Sequence, residues 1–473
     1  MIKFSGNIVQ FGFGAVGKSF YEKVKNEINF DENNYYVISN NNFEFEAFIN
    51  MGGISTNFIN TLIDEYNYTS IFKEYLKEGD ILIDFADSVG TLDFCKWCID
   101  NKVMYLNTGE TDWPSNWYCI FEENLKKNKL KKEVKDKIKY PILLQHGNNP
   151  GLVSHFVKEA LVYVVNTQYK KNKEYKKLIK ENKFNELAMK LNVKMIHVND
   201  IDLQRINEDF NESKLISTWC IDSFFFELLS EATQNVGTHE YEIDKKLCKK
   251  LDLEKGFLEY KKYAVDKKIK TVYPGGYFEG YLVPHEETIT IANSLEVYDE
   301  NKVIYRPSVM FVYLPCHLAE EYLEKSRTDI EDEQIAVRGH LYPEESEVVY
   351  KEKITEGTEY VGILLMGDNF KPVWVGNRVE MNYLYKQKNS YWQTPTITPV
   401  SMSALAGLCW MIKNKDKGDI YFPDDIKDYK DILKIAEKYI SKTIYHTFDK
   451  DVVYKNMDLK TLVSSDFYAK EKE

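Results

Sequence analysis

Asn7-Ile8-Val9-Gln10-Phe11-Gly12-Phe13-Gly14-Ala15-Val16-Gly17-Lys18-Ser19 is the stretch that decides the fold. Ile8 to Phe11 is a short apolar run that reads as a buried strand, and an amphipathic run from Ala15 to Val24 reads as a helix. Between them Gly12, Gly14 and Gly17 stand at G-x-G-x-x-G spacing, in the strand-to-helix setting that gives this motif its meaning. Gly12 allows a tight turn, Gly14 lets the backbone approach a pyrophosphate, and Gly17 lets the helix lie close to its strand. The helix N-terminus adds N–H groups aimed at the anion. The stretch predicts a Rossmann-type dinucleotide-binding domain whose cofactor touches Gly12, Phe13, Gly14, Ala15, Val16 and Gly17.

Further along, Tyr35 to Ser39 reads as the second strand. Such a strand ordinarily ends in Asp or Glu, which holds the ribose hydroxyls. Here it ends Ser39-Asn40-Asn41-Asn42, and Ser39 and Asn40 can still hydrogen-bond a hydroxyl. No Lys or Arg lies between Ser39 and Glu46 to receive a 2′-phosphate, and Glu44 and Glu46 repel one, so NAD is expected over NADP. Ile81 to Phe85, Val103 to Asn107 and Pro141 to Gln145 are further buried strands. Ligands of an open parallel sheet lie beyond its carboxyl ends. Asp87, Ser88, Thr108, Asn148 and Asn149, in the loops that follow those strands, are therefore candidate cofactor contacts.

The segment His146 to Gly151 is a polar Gly/Pro loop that reads either as an interdomain hinge or as a helix-start turn. From 190 to 395 strands come in groups rather than alternating with helices, which predicts an α+β domain on its own sheet. More sheet is expected over Thr271 to Ile291 and Val303 to Leu314. The expected division is 1–150 for the NAD-binding domain and 151–398 for a larger substrate-binding and dimerisation domain. Residues 399–473 form helices returning to the first domain.

The chain has 473 residues, 44% of them hydrophobic, and a net charge of -12. That composition is globular, and the acidic balance argues against nucleic acid while suiting a cationic small substrate. No signal peptide is expected, and the sequence shows no apolar run long enough to span a bilayer. Seven scattered cysteines fit a reducing cytoplasm. Cys95 and Cys98 fall in a helical pattern and read as two thiols rather than a redox pair, and no metal site is expected.

A second constellation follows. His197, Asp200 and Asp202 lie at the end of a strand, then Thr218-Trp219, Glu227, Gly237-Thr238-His239-Glu240 and Pro284-His285-Glu286. Singly, each is as readily structural: a tryptophan is most often core, a carboxylate most often solvated. In order, with the glycine loop, His146-Gly147-Asn148-Asn149-Pro150-Gly151, Asp200-Ile201-Asp202-Leu203-Gln204 and Tyr313-Leu314-Pro315-Cys316, they resemble the homospermidine synthase family of saccharopine dehydrogenase-like proteins. The resemblance spans nearly the whole chain.

It implies a homodimer with a bound NAD that is reduced and reoxidised in each turnover. Putrescine, or spermidine, donates an aminobutyl group to putrescine through oxidation, loss of ammonia (or diaminopropane), Schiff-base formation and re-reduction. By position Trp219 matches the tryptophan that holds the transferring ammonium, Glu227 and His285 its neighbours, and Asn149 a pocket asparagine. Asp200 stands where the family has glutamate, and Asp202 is expected beside the substrate. Glu110 or Asp112 is expected to anchor the distal ammonium. A diamine is a dication at neutral pH, and an indole face suits such a charge. The alternatives are a carboxyspermidine- or saccharopine-type reductive condensing dehydrogenase, which needs an Arg or Lys for a substrate carboxylate, and a non-catalytic NAD-binding regulator.

Overall fold

The computed structural model describes residues 1–473 apart from 87–88, 114–119, 136, 241–242, 329–342, 388–390 and 457–473. The chain forms two compact units, Met1–Leu152 with Leu384–Ile440, and Val153–Tyr383 with Ser441–Glu473.

The first unit is an α/β domain on a parallel sheet. Its strands lie in the order Phe58–Asn60, Tyr35–Ser39, Ile8–Phe11, Ile81–Asp84, Met104–Asn107, Ile142–Leu143 and Ile420–Tyr421. All these pairings are parallel. The order reverses between Ile8–Phe11 and Ile81–Asp84, the switch point where such sheets open a crevice for ligand. The central strands Ile8–Phe11, Ile81–Asp84, Met104–Asn107 and Ile142–Leu143 are buried on both faces and therefore read as largely apolar runs.

The first boundary falls two residues beyond the expected 150, but the C-terminal segment is organised differently from the expectation. The chain re-enters the first unit at Leu384 rather than at 399, and it does not stay there. Ile420–Tyr421 adds to the first sheet, whereas Ile444–Thr447 pairs antiparallel with Val373–Glu380 in the second unit. Short strands with unpaired edges are drawn to open sheet edges, a preference that helical periodicity does not reveal.

The second unit is α+β. Its main sheet runs Cys248–Asp252, Phe257–Tyr263, Glu231–Asn235, Ser308–Leu314, Val193–Asp202, Thr358–Gly367, Val373–Glu380 and Ile444–Thr447, with the hairpin Lys268–Tyr273/Gly276–Leu282 joined to Ser308–Leu314. Ser308–Leu314 and Val193–Asp202 pair in parallel, with Tyr313 opposite Asp200 and Phe311 opposite Val198. Thr358–Gly367 pairs antiparallel on the other side, with Val361 opposite Asp200 and Glu359 opposite Asp202. Side chains alternate along strands and agree across them. One face thus carries Met195, Ile201, Met310, Val312, Leu364 and Trp374, which form a hydrophobic core. The opposite face carries Asp200, Asp202, Glu359, Phe311 and Tyr313.

Two stretches expected as sheet depart from it. Glu287–Ser294, which begins inside the expected Thr271–Ile291 and runs past it, is a helix although Ile289, Thr290 and Ile291 are β-branched; it is largely buried and packs on Ser308–Leu314. Tertiary packing there outweighs a χ1 preference worth only tenths of a kcal/mol, about 0.7 at most. Val303 to Leu314 is interrupted at Arg306-Pro307. Pro307 has no N–H for a ladder, and the buried Arg306 guanidinium donates to the carbonyls of Val236 (3.0 Å), Glu254 (3.1 Å) and Leu253 (3.0 Å) and pairs with Glu296 (2.7 Å).

Candidate active site

In the first unit the glycines divide their tasks as the spacing predicts. Gly12 has φ +85, and a Cβ there would stand 2.9 Å from the carbonyl carbon of Phe85, beside the switch point. At Gly17 a Cβ would meet the Gln10 amide at 2.5 Å and the Gly12 carbonyl at 2.6 Å, so only glycine lets the helix Ala15–Glu27 sit this close. At Gly14 the space ahead is open, with nothing nearer than Glu44 Oε1 at 3.9 Å. Gly14 is also the N-cap and lacks a side-chain cap, so the helix N–H groups are left for an anion. A bare cradle of this kind fits a dinucleotide. Phe13 is different: its ring is fully buried against Tyr21 and Phe48, so only its backbone can face a cofactor.

The loops at the other strand ends gather at the same edge of this unit. The carbonyl of Thr108 lies 3.1 Å from where a Cβ on Gly147 would be, bringing Thr108 beside the Asn148-Asn149 turn. Gly147 N–H donates to Pro150 O (2.8 Å) and Leu152 N–H to Gly147 O (3.0 Å), so this loop closes tightly on itself. Asp87 and Ser88 lie outside the described residues. Glu110 is not exposed to a ligand. It is buried in an ion pair with the equally buried Lys127, and its charge is matched within the chain. Lys127 lies on the helix Ile120–Val134, and nothing in the loop sequence marks it as the partner of Glu110. Cys95 and Cys98 are buried thiols, Cys95 pushed by burial to about 12, as the helical pattern suggested.

In the second unit Trp219 sits just before the helix Ile221–Leu229. Its Nε1–H donates to the Tyr313 hydroxyl at 2.9 Å, and its ring meets Phe224 and Tyr313 edge-on. Burial, with Asp200 and Asp202 adding to it, holds the Tyr313 phenol far above its ordinary pKa. Two residues back on the same strand face, roughly 7 Å along it, Phe311 stacks on the His285 imidazole (centroids 4.1 Å apart, 9° between planes). His285 Nε2 lies 3.5 Å from Glu227 Oε1 on the helix that follows Trp219, while Nδ1 bonds the buried Glu287 carboxylate and stands 3.6 Å from Glu286. One imidazole is therefore flanked by three carboxylates.

The electrostatics follow. Burial alone would push His285 down, but Glu287 and Glu227 outweigh it and hold its pKa well above the ordinary value. Burial pushes the Glu227 carboxyl up, partly offset by His285. A raised imidazole pKa means that this stabilisation is whole below the unfolded value of about 6.5 and fades as pH rises through the folded one. His285→Gln is accordingly expected to cost about 3–5 kcal/mol near pH 6, the worth of a broken buried pair, and progressively less in alkaline buffer. Denaturant unfolding across that range checks it, and a pH-independent loss would contradict a charged imidazole.

Asp200 shares the face of Tyr313 and is 8% exposed. Asp202 is committed to structure. It accepts from the Thr218 hydroxyl (2.6 Å) and from the backbone and side-chain N–H of Gln204 (both 2.9 Å), which pins the turn that presents Trp219. His197 points the other way, bonded to Thr271 at 2.9 Å, and burial drops its pKa to about 3. His239 and Glu240 lie at the far end of the strand from Tyr313, where Ser308 donates to Glu240 (2.9 Å). Tyr313 opens the run Tyr313-Leu314-Pro315-Cys316, and nothing in the sequence marks it as the indole's partner. Glu287 is marked only by following His285-Glu286 at a helix start.

Residues 8–138 match the family described as "Saccharopine dehydrogenase NADP binding domain". A homospermidine synthase of Mesorhizobium japonicum is 26% identical over 92% of this chain and 89% of its own length. One from Blastochloris viridis is 24% identical over 93% and 91%. Among solved structures, the homospermidine synthase of Legionella pneumophila in complex with NAD superposes with a TM-score of 0.81 at 24% identity, over 95% of this chain and 92% of that one. The chain is thus similar over nearly its whole length to homospermidine synthases, and residues 8–138 match a saccharopine dehydrogenase-type cofactor domain.

Proposed function

We propose that this protein is a homospermidine synthase, an NAD-dependent aminobutyl transferase acting on putrescine or spermidine, and that it works as a cytoplasmic homodimer. The observation that carries this reading is the pairing of Trp219, locked by Tyr313, with Glu227–His285–Glu287, where His285 stacks on Phe311 of the same sheet face as Tyr313. Three carboxylates around one imidazole leave this surface net negative, which suits an aliphatic dication. The reductive condensing alternative needs a guanidinium or ammonium for a substrate carboxylate, and Arg306 is buried in its own ion pair.

Gly12, Gly14 and Gly17 would hold NAD, which when bound would supply reversible hydride acceptance. The chain's own residues manage charge and protons. Hydride leaves a carbon only beside a neutral amine, so one ammonium of putrescine must lose its proton. Glu227 takes it, since its raised pKa brings a carboxylate closer to that task. His285, kept protonated by Glu287, holds Glu227 in place and returns the proton as ammonia departs. The iminium carbon is positive, and the indole face of Trp219 stabilises it by about 2 kcal/mol when desolvated. A second putrescine adds, ammonia leaves, and reduction of the new imine gives homospermidine. Two dications enter; a trication and an ammonium ion leave.

Purified protein incubated with putrescine and catalytic NAD is expected to release homospermidine and ammonia in equal amounts with no net change in NADH absorbance. Stoichiometric consumption of reduced cofactor, or no triamine, would overturn the reading.

A further inference from the structure

The matched family is described by NADP, yet the second strand of this domain ends without an acid, at Ser39 and Asn40. The acid arrives from the next helix. In Asn42–Asn50, capped by Asn41, Glu44 stands three residues after the cap, where a glutamate ordinarily reaches back to the cap's own N–H. It does not do so here. The Asn41 N–H points to Ser39 Oγ (3.3 Å), and the Ser39 hydroxyl donates to Glu44 Oε2 at 2.5 Å. Glu44 is thereby turned toward the glycine loop, its Oε1 standing 3.9 Å from the Cβ position of Gly14. One carboxylate oxygen is spent on Ser39. The other is the atom nearest the open space in front of Gly14.

We propose that Glu44, oriented by Ser39, is the residue that accepts the hydrogen bonds of the adenosine ribose hydroxyls and excludes a 2′-phosphate, making the domain selective for NAD over NADP. This rests on the cradle being a dinucleotide site, part of the reading above, but not on the polyamine chemistry. The carboxylate does for the ribose what an acid at the strand end does elsewhere. The same charge repels a phosphate at that position, and Lys18, which feels the Glu44 charge, is buried with its ammonium 4.3 Å over the Trp392 ring. Burial lowers its pKa, so it is poorly placed to receive the phosphate instead.

The test is direct binding, by titrating the intrinsic fluorescence of the full-length protein with NAD and with NADP. The wild type is expected to bind NAD at least tenfold tighter, about the worth of one hydrogen bond to a charged group. Glu44→Gln keeps the shape and removes the charge; it is expected to weaken NAD roughly tenfold and to bring NADP up to parity. Ser39→Ala leaves the carboxylate but releases it, and an intermediate loss for NAD without a gain for NADP is expected, which guards against a folding defect in the first variant. Equal affinities in the wild type, or unchanged ones in Glu44→Gln, would overturn the proposal. Intact, Glu44-dependent selectivity in a protein that makes no triamine would instead sink the activity and leave this assignment standing.

Discussion

Trp219→Ala is expected to lower triamine formation at least about thirtyfold, since the cation–π contribution of about 2 kcal/mol converts to that factor in rate. NAD affinity is expected to stay within about twofold, because the dinucleotide is held by the glycine cradle and the helix N-terminus behind it, to which Trp219 does not belong. The indole acts where positive charge is concentrated on the reacting carbon, so the loss falls on kcat more than on KM. Its Nε1–H also satisfies the Tyr313 hydroxyl, and Trp219→Phe separates the two tasks. Phenylalanine keeps a weaker π-face and gives up the hydrogen bond, so partial recovery relative to alanine is expected. Steady-state turnover and NAD titration of both variants check this. Wild-type kcat in Trp219→Ala would remove the proposed role.

Glu227→Gln is expected to lower kcat by about a hundredfold to ten-thousandfold, the usual contribution of a positioned general base. The side chain keeps its volume and its place on Ile221–Leu229, so folding is expected to persist. The pH profile distinguishes a base from a mere neighbour. The wild-type rate is expected to rise with pH through the elevated Glu227 pKa, as the carboxylate forms, and to fall again as the His285 imidazolium is lost above its own raised pKa. In Glu227→Gln the acidic limb is expected to disappear and the alkaline limb to remain. Near wild-type kcat, or an unchanged acidic limb, would exclude Glu227 as the base.

The first unit was legible because its chemistry is local. Gly12, Gly14 and Gly17 each answer a backbone requirement, and strands such as Ile8–Phe11 and Ile81–Asp84, buried on both faces, write themselves as apolar runs. The second site was legible as a set of residues but not as an arrangement. Asp200 and Asp202 share a face while His197 takes the other, a parity the strand period does carry. Which face is core, however, depends on Met310, Leu364 and Trp374, residues far away in sequence. Tyr313 and Phe311 became visible as partners of Trp219 and His285 only through that register. The burial of Glu110 is not legible in its loop because its partner Lys127 lies on the following helix Ile120–Val134, among several other lysines. Glu44 was weighed only as a repulsive charge, since the ribose acid was sought at the strand end.

The most direct test of the central claim uses putrescine fully deuterated on the carbons beside nitrogen, with unlabelled NAD. A hydride taken from the donor carbon and handed back to that same carbon leaves every deuterium in the homospermidine, read by mass spectrometry. Replacement of one deuterium by hydrogen at each newly formed C–N bond would mean that the reducing equivalent comes from outside the turnover, and the account would fail.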